Sequence, residues 1–101
     1  MAEWSGVAGK RVLITGATAG IGLAGAEELA RRGAKLAIVA CSPERGQHAA
    51  QRIRAAAGTD GDVDVLMADL ASQASVSALA AETLDRYPRL DVLINNAGAP
   101  G

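Results

Sequence analysis

The most informative stretch of this 101-residue chain is Thr15-Gly16-Ala17-Thr18-Ala19-Gly20-Ile21-Gly22. It follows the apolar run Arg11-Val12-Leu13-Ile14 and opens a segment rich in Ala, Leu and Glu. This order predicts a strand, a glycine turn and the start of a helix. A helix N-terminus leaves backbone N–H groups unpaired and carries a partial positive charge, so it attracts phosphate. The stretch therefore predicts a phosphate-binding loop at the end of the first strand.

The glycines of this loop have separate expected roles. Gly16 lets the chain leave the strand sharply, Gly20 leaves no side chain between backbone and ligand, and Gly22 lets the helix pack close to the sheet. The overlapping pattern Gly20-Ile21-Gly22-Leu23-Ala24-Gly25 also fits the general G-x-G-x-x-G loop, but it starts four residues after the predicted strand ends. We therefore take Gly16, Gly20 and Gly22 as the working set. The alternative is a tight strand-to-helix turn that binds nothing.

Composition places the chain among ordinary globular proteins. Half of its residues are hydrophobic and its formal net charge is -1, with acidic and basic residues interspersed. This balance argues against nucleic-acid binding and against a polybasic membrane surface. The single cysteine, Cys41, permits neither an internal disulfide nor a cysteine-based metal site, which favours a cytoplasmic location. We expect no signal peptide, no membrane-spanning segment and one partial domain over residues 1–101.

The rest of the chain alternates between strand-like and helix-like patterns. The predicted strands cover residues 11–15, 35–40, 63–67 and 91–94, and the run at 35–40 is typical of a strand covered on both faces. The predicted helices cover about 20–32, then the segment from Ser42 as N-cap to about Gly58, then a segment that ends before Pro88. The first helix places Ile21, Gly25 and Leu29 on one face, and the second presents Ala49, Ala50, Ile53, Ala56 and Ala57 to the sheet. The third shows Val76, Leu79, Ala80, Thr83, Leu84 and Tyr87 at helical spacing.

This alternation of four strands with three helices predicts an α/β fold, a doubly wound parallel sheet in the strand order 3-2-1-4. In that order the first two helices cover one face and the third helix covers the other. The switch point then lies between strands one and four, and ligands of such sheets bind there, at the carboxyl ends of the strands. Gly16, Asp69 and Asn95 all stand at such ends.

The sequence resembles the short-chain dehydrogenase/reductase family in three motifs: Thr15-Gly16-x-x-x-Gly20-Ile21-Gly22, then Asp69 after strand three, then Asn95-Asn96-Ala97-Gly98 after strand four. The likeness covers nearly the whole chain, including the connecting segments at 9–14 and 89–94. It implies a Rossmann-type domain of an NAD(P)-dependent oxidoreductase. Such an enzyme transfers hydride between a nicotinamide cofactor and an alcohol or carbonyl substrate.

The resemblance also implies roles for single residues. Thr18, Ala19 and Ile21 would line the path of the pyrophosphate and the adenosine ribose. Asp69 would accept a hydrogen bond from the adenine amino group, or it would only cap the turn before the third helix. Asn95 would fix the end of strand four beside the ribose, or it would belong to a plain turn. The residues expected to bind the cofactor are Gly16, Thr18, Ala19, Gly20, Ile21, Gly22, Cys41, Ser42, Asp69, Leu70 through its backbone, Asn95 and Ala97.

The end of strand two selects between the two nicotinamide cofactors. An acidic residue there would bind the ribose 2′-hydroxyl of NAD, and an arginine would hold the 2′-phosphate of NADP, but Ala40-Cys41-Ser42 supplies neither. Because no acid repels a 2′-phosphate and Ser42 or Arg45 could donate to it, we expect NADP(H), with NAD(H) as the alternative. Cys41 itself is expected to be a small apolar filler rather than a reactive thiol.

The sequence supplies no catalytic residue of the kind that the resemblance requires. Enzymes of this family protonate the developing alkoxide with a tyrosine that stands four positions before a lysine. The only tyrosine of this sequence, Tyr87, stands four positions before Asp91. We expect Tyr87 on the apolar face of its helix and His48 on a solvated surface, with no metal site.

We therefore expect the front, cofactor-binding part of a longer enzyme, inactive alone. The uncovered edge of its fourth strand favours a homo-oligomer. The alternative is a stand-alone nucleotide-binding or interaction module without catalysis.

Overall fold

The computed structural model describes residues 8–18, 20–58, 62–69 and 71–95, and at Asn95 it describes the backbone only. Strands and helices alternate along these ranges, in the order β1 (Arg11–Thr15), α1 (Gly20–Arg31), β2 (Lys35–Ala40), α2 (Pro43–Ala57), β3 (Val63–Met67), α3 (Gln73–Arg86) and β4 (Val92–Asn95). The first three strands have the predicted bounds. Helix α1 ends one residue earlier than predicted, and β4 begins and ends one residue later.

The described strands form one parallel sheet in the order β3-β2-β1-β4. Thr15, the last residue of β1, is paired with Val39 of β2 on one side and with Asn95 of β4 on the other. All the strands therefore end along one edge of the sheet, which we call the carboxyl edge, and begin along the opposite amino edge. This arrangement confirms the predicted α/β fold and strand order.

Apolar side chains on both faces of the sheet build two cores. One face packs strand residues such as Val12, Ile14 and Ile38 against α1 and α2, and the other packs Leu13 and Val39 against α3. Successive strand residues point to opposite faces, so a strand that is covered on both sides is apolar at nearly every position. The predicted division of the helices between the two faces is confirmed.

The buried face of α1 is not the face that carries Ile21, Gly25 and Leu29. Ile21 is 90% exposed, Gly25 is exposed and Leu29 only borders the core. The helix instead buries Gly22, Leu23, Ala26 and Ala30. The physical reason is the close contact of Gly22 with the backbone of the loop before the helix, which fixes the rotation of the helix about its axis.

Helices α2 and α3 agree with their predicted faces to different degrees. On α2, Ala49, Ala50 and Ile53 are buried as predicted, whereas Ala56 and Ala57 are half-buried. On α3, Leu79 and Thr83 are buried. The predicted α3 residues Val76, Ala80 and Leu84 are exposed, and Leu84 is 79% exposed. Leu93 of β4 is also 62% exposed, so α3 covers the β3 side of the sheet and leaves the β4 side open.

A group of polar side chains, here called the amino-edge cluster, joins Arg11, Asp64, Tyr87 and Asp91. The Asp91 carboxylate accepts from the Arg11 backbone N–H at 2.9 Å, which lowers the pKa of Asp91. The Arg11 guanidinium lies 4.4 Å from the centre of the Tyr87 ring and 3.7 Å from the Asp64 carboxylate. The Tyr87 hydroxyl donates to that carboxylate at 2.6 Å. The Tyr87 ring packs in the core, although Tyr87 is the C-cap of α3 and not part of the helix, where the sequence placed it. Its hydroxyl has a polar partner that the sequence did not reveal.

Tyr87→Phe is expected to lower the free energy of unfolding by about 1–2 kcal/mol at neutral pH, because it removes a hydrogen bond to a carboxylate. Burial, followed by the hydrogen bond to Asp64, raises the pKa of Tyr87 from 10.0 to about 12. The stabilisation is therefore present below pH 10 and is lost as the pH rises to about 12, a loss that the Phe variant does not show. Tyrosinate absorbance measures the pKa directly, since Tyr87 is the only tyrosine. A titration midpoint near 10 in the folded chain would contradict this account.

Candidate functional site

The loop after β1 begins with a backbone turn that favours glycine. Gly16 directly follows Thr15 and has a φ of 72°, a left-handed conformation that side chains rarely adopt. Gly20 begins α1, is exposed, and has no other atom within 4 Å of the position where a Cβ would stand. A ligand could therefore approach the backbone at Gly20 closely, which is the role expected of it. Thr18 is half-buried between these glycines, and Ala19 lies outside the described residues.

Gly22 holds the first turn of α1 against this loop. A Cβ at Gly22 would overlap the carbonyl oxygen of Gly16 and would lie 3.3 Å from the Cα of Ala17. The close partner of Gly22 is thus the backbone of the loop, where the sequence predicted the sheet. Gly25 makes no comparable approach, since nothing lies within 4 Å of its Cβ position. The contact favours the set Gly16, Gly20 and Gly22 over the overlapping pattern that ends at Gly25.

The segment after β2 offers exposed polar groups at the same edge. Ser42 caps α2 as predicted, and its Oγ accepts from the Arg45 backbone N–H at 3.4 Å. Cys41 is exposed, so the prediction that it fills an apolar gap was wrong. It stands just past the last residue of β2, outside the buried part of the strand. The Arg45 side chain is exposed and makes no ion pair with any residue of the described ranges.

Asp69 is held in the turn between β3 and α3. Its Oδ1 accepts from the Ala71 N–H at 3.0 Å, and its carbonyl accepts from the Ser72 N–H at 3.0 Å. Its own N–H donates to the Oγ of Ser75 at 2.8 Å. Asp69 therefore does cap this turn, as one interpretation of the sequence expected. Within the described ranges Oδ2 accepts no hydrogen bond, and the side chain is exposed.

Ser72 and Ser75 shape this turn and were not identified from the sequence. Ser72 is the N-cap of α3, and its Oγ accepts from the Ser75 N–H at 3.2 Å. A serine just before a helical pattern is the ordinary signal for such a cap and could have identified Ser72. The hydrogen bond from Asp69 to Ser75 depends on the fold of the turn, and no spacing rule predicts it.

The strand ends bring the predicted residues to one edge. Gly16 follows Thr15, Cys41 follows Ala40, and Asp69 comes two residues after the end of β3. Because Thr15 is paired with Asn95 and Ala40 with Met67, these ends lie side by side along the carboxyl edge. The predicted contacts of Leu70, Ala97 and the Asn95 side chain lie outside the described residues.

Other candidates lie away from this edge or form no site. Tyr87 contacts Arg11 and Asp64, near the starts of their strands, so it lies at the opposite edge from the loop. His48 is exposed on α2, as expected. Within the described residues no three His, Cys, Asp or Glu side chains are grouped to hold a metal ion. None of the helices described combines the length and the apolar character needed to cross a membrane.

Comparisons with known proteins give a consistent result. A family model described as short chain dehydrogenase matches residues 10–101. The chain is 48% identical over 90 residues to Dehydrogenase/reductase SDR family member 13 of Homo sapiens. The aligned region covers 89% of this chain and 24% of the human protein.

The solved structures that are similar to the chain include the following two. One is an NADH-dependent reductase A1-R′ complexed with NAD, with 39% identity, a TM-score of 0.80, and coverage of 95% of this chain and 39% of that one. The other is Pseudomonas aeruginosa RhlG in an active-site complex with NADP, with 36% identity, a TM-score of 0.84, and coverage of 98% of this chain and 38% of that one. The chain thus spans about a quarter of the human relative's length and about two fifths of each of these structures.

The contact between Gly22 and the loop can be tested by replacing Gly22, and separately Gly25, with alanine and comparing the stabilities of the two variants. Gly25→Ala is expected to raise the free energy of unfolding by about 0.5–1 kcal/mol, because alanine favours the helix and its Cβ meets open space. Gly22→Ala is expected to lower it by at least about 2 kcal/mol, because its Cβ would overlap backbone atoms that cannot move without disturbing the loop. Urea unfolding followed by circular dichroism measures both, and equal effects of the two variants would disprove the contact.

Proposed function

Because this chain belongs to the short-chain dehydrogenase family, we propose that residues 1–101 form a single, partial dinucleotide-binding domain of an oxidoreductase. The whole enzyme transfers hydride between a nicotinamide cofactor and an alcohol or carbonyl substrate. The observation that carries the proposal is the contact of Gly22 with Gly16, which holds the N-terminus of α1 at the carboxyl end of β1. There the unpaired N–H groups of the first helical turn can bind the cofactor's pyrophosphate.

The described residues fit such a cofactor. At Gly20 the backbone faces open space, where a Cβ would stand in the way of a phosphate. Thr18 and Ile21 would line the pyrophosphate and ribose path, and the 90% exposure of Ile21 leaves its side chain free to cover a ligand. Asp69 with Leu70 would bind the adenine, and Asn95 with Ala97 would approach the ribose. When bound, the cofactor supplies the hydride, and these residues hold and orient it.

The preferred cofactor in this proposal is NADP(H). Residues 40–42 carry no carboxylate that would bind a 2′-hydroxyl or repel a 2′-phosphate. The exposed Arg45 guanidinium on the first turn of α2 is available to a 2′-phosphate, and Ser42 and Cys41 border the same position. The similar structures include one complex with NAD and one with NADP, so the test of the site includes both dinucleotides.

Calorimetric titration of the chain with NADPH, and separately with NADH, is expected to show saturable binding, tighter for NADPH. Gly16→Asp should weaken binding at least about tenfold, because it puts a carboxylate beside the bound phosphates. Gly9→Asp is the matched control: Gly9 has a φ of 76°, close to the 72° of Gly16, but it precedes β1 at the amino edge. An equal loss in both variants, or no binding by the folded chain, would refute the site. Tighter binding of NADH would refute only the preference.

We also propose that this chain alone transfers no hydride to a carbonyl. Its only tyrosine has no lysine four positions later, and Tyr87 lies at the amino edge with its hydroxyl bonded to Asp64. Consumption of NADPH by the purified chain with a panel of ketones and aldehydes, followed by absorbance, should equal the rate without protein. Turnover that disappears in Gly16→Asp would disprove the proposal. The cytoplasmic location and the homo-oligomer expected from the sequence stay predictions for the whole protein.

A further inference from the structure

We propose that Ser75 is a positioning residue, which orients the Asp69 carboxylate toward the adenine base of the dinucleotide. The inference rests on the proposed function, because it concerns the adenine end of that site. Ser75 stands on the first turn of α3 and would not itself touch the cofactor. It acts through its hydrogen bond with the backbone of Asp69.

The first step concerns the point at which the chain leaves the sheet. The Ala68 N–H still donates to the carbonyl of Ala40 at 3.0 Å, in continuation of the β2–β3 pairing. The next N–H, that of Asp69, donates instead to the Oγ of Ser75 at 2.8 Å. Successive N–H groups of a strand point to opposite sides, so the Asp69 N–H faces the outer side of β3, the edge strand of the described sheet. The Ser75 hydroxyl supplies its acceptor there and ties the backbone of Asp69 to the first turn of α3.

The second step concerns the side chain of Asp69. One carboxylate oxygen, Oδ1, accepts from the Ala71 N–H at 3.0 Å, which ties the carboxylate to the turn. With the backbone N–H bound to Ser75 and Oδ1 bound to Ala71, the carboxylate keeps few orientations. Oδ2 accepts no hydrogen bond from the described residues and is the oxygen available to a ligand.

The third step concerns which purine base the free carboxylate oxygen of Asp69 prefers. A carboxylate oxygen accepts a hydrogen bond from the 6-amino group of adenine. Hypoxanthine carries a carbonyl oxygen at that position, which cannot donate and would face the carboxylate unfavourably. A well-oriented Asp69 therefore prefers an adenine dinucleotide over its hypoxanthine analogue. A misoriented Asp69 loses this preference, even though the pyrophosphate still binds at the loop.

The test compares the affinities of the chain for NADPH and for its hypoxanthine analogue. We expect the unchanged chain to prefer NADPH by about tenfold or more. Ser75→Ala should remove most of this preference by weakening NADPH binding, with the affinity for the analogue nearly unchanged. Ser75→Thr retains a hydroxyl and should restore the preference. Ser77→Ala, an exposed serine of the same helix with no hydrogen bond to Asp69, is the control and should keep the ratio.

The ratio separates positioning from stability. If Ser75 only stabilised the helix start, Ser75→Ala would weaken both ligands equally or neither, and that result would overturn the proposal. Ser72→Ala removes the helix cap but leaves the hydroxyl of Ser75 in place, so it should lower the thermal midpoint and keep most of the preference.

The same titrations separate this proposal from the proposed function. Binding of both dinucleotides by the unchanged chain with no preference for adenine would overturn the role of Ser75 and leave the loop site standing. Failure of the folded, unchanged chain to bind either one would overturn both.

Discussion

The contact between Gly22 and the carbonyl of Gly16 is the constraint on which the functional end of the molecule depends. No side chain fits between these two backbones, so the first turn of α1 lies directly on the exit from β1. The contact fixes the rotation of the helix, and this rotation buries Leu23, Ala26 and Ala30 while leaving Ile21 in solvent. It also holds the helix N-terminus, where the first N–H groups have no partner within the helix, beside the carboxyl end of β1.

The two edges of the sheet differ in their chemistry because different residues stand before and after the strands. At the amino edge, Arg11 is surrounded by Asp64, Asp91 and the Tyr87 ring, and the backbone of Arg11 is paired with Asp91. These groups bind one another and close that edge. At the carboxyl edge the described chain departs through the turn at Gly16 and through the starts of α2 and α3, whose first N–H groups have no partner within the helix. One oxygen of Asp69 accepts no hydrogen bond from the described residues there. The ligand of the proposed function is therefore assigned to the carboxyl edge.

The strands could be predicted almost to the residue, because each run of largely apolar residues is followed within two residues by Gly, Ser, Asp or Asn. The strand order followed from the alternation of strands and helices. The face of α1 could not be predicted, since its rotation is set by a glycine against a backbone oxygen, and hydrophobic spacing contains no information about that contact. The partner of the Tyr87 hydroxyl is Asp64, 23 residues away, and the acceptor for Asp69 is Ser75. Such pairs exist only once the chain is folded.

Tyr87 also shows why a residue type alone does not establish a catalytic role. A tyrosine that protonates an alkoxide needs a lowered pKa and access to the substrate beside the cofactor. Burial and the Asp64 carboxylate raise the pKa of Tyr87 to about 12, and its hydroxyl lies at the edge opposite the loop. Both effects result from its place in the amino-edge cluster and would hold even if a lysine stood four residues later. In the proposed enzyme the proton donor must therefore be a residue other than Tyr87.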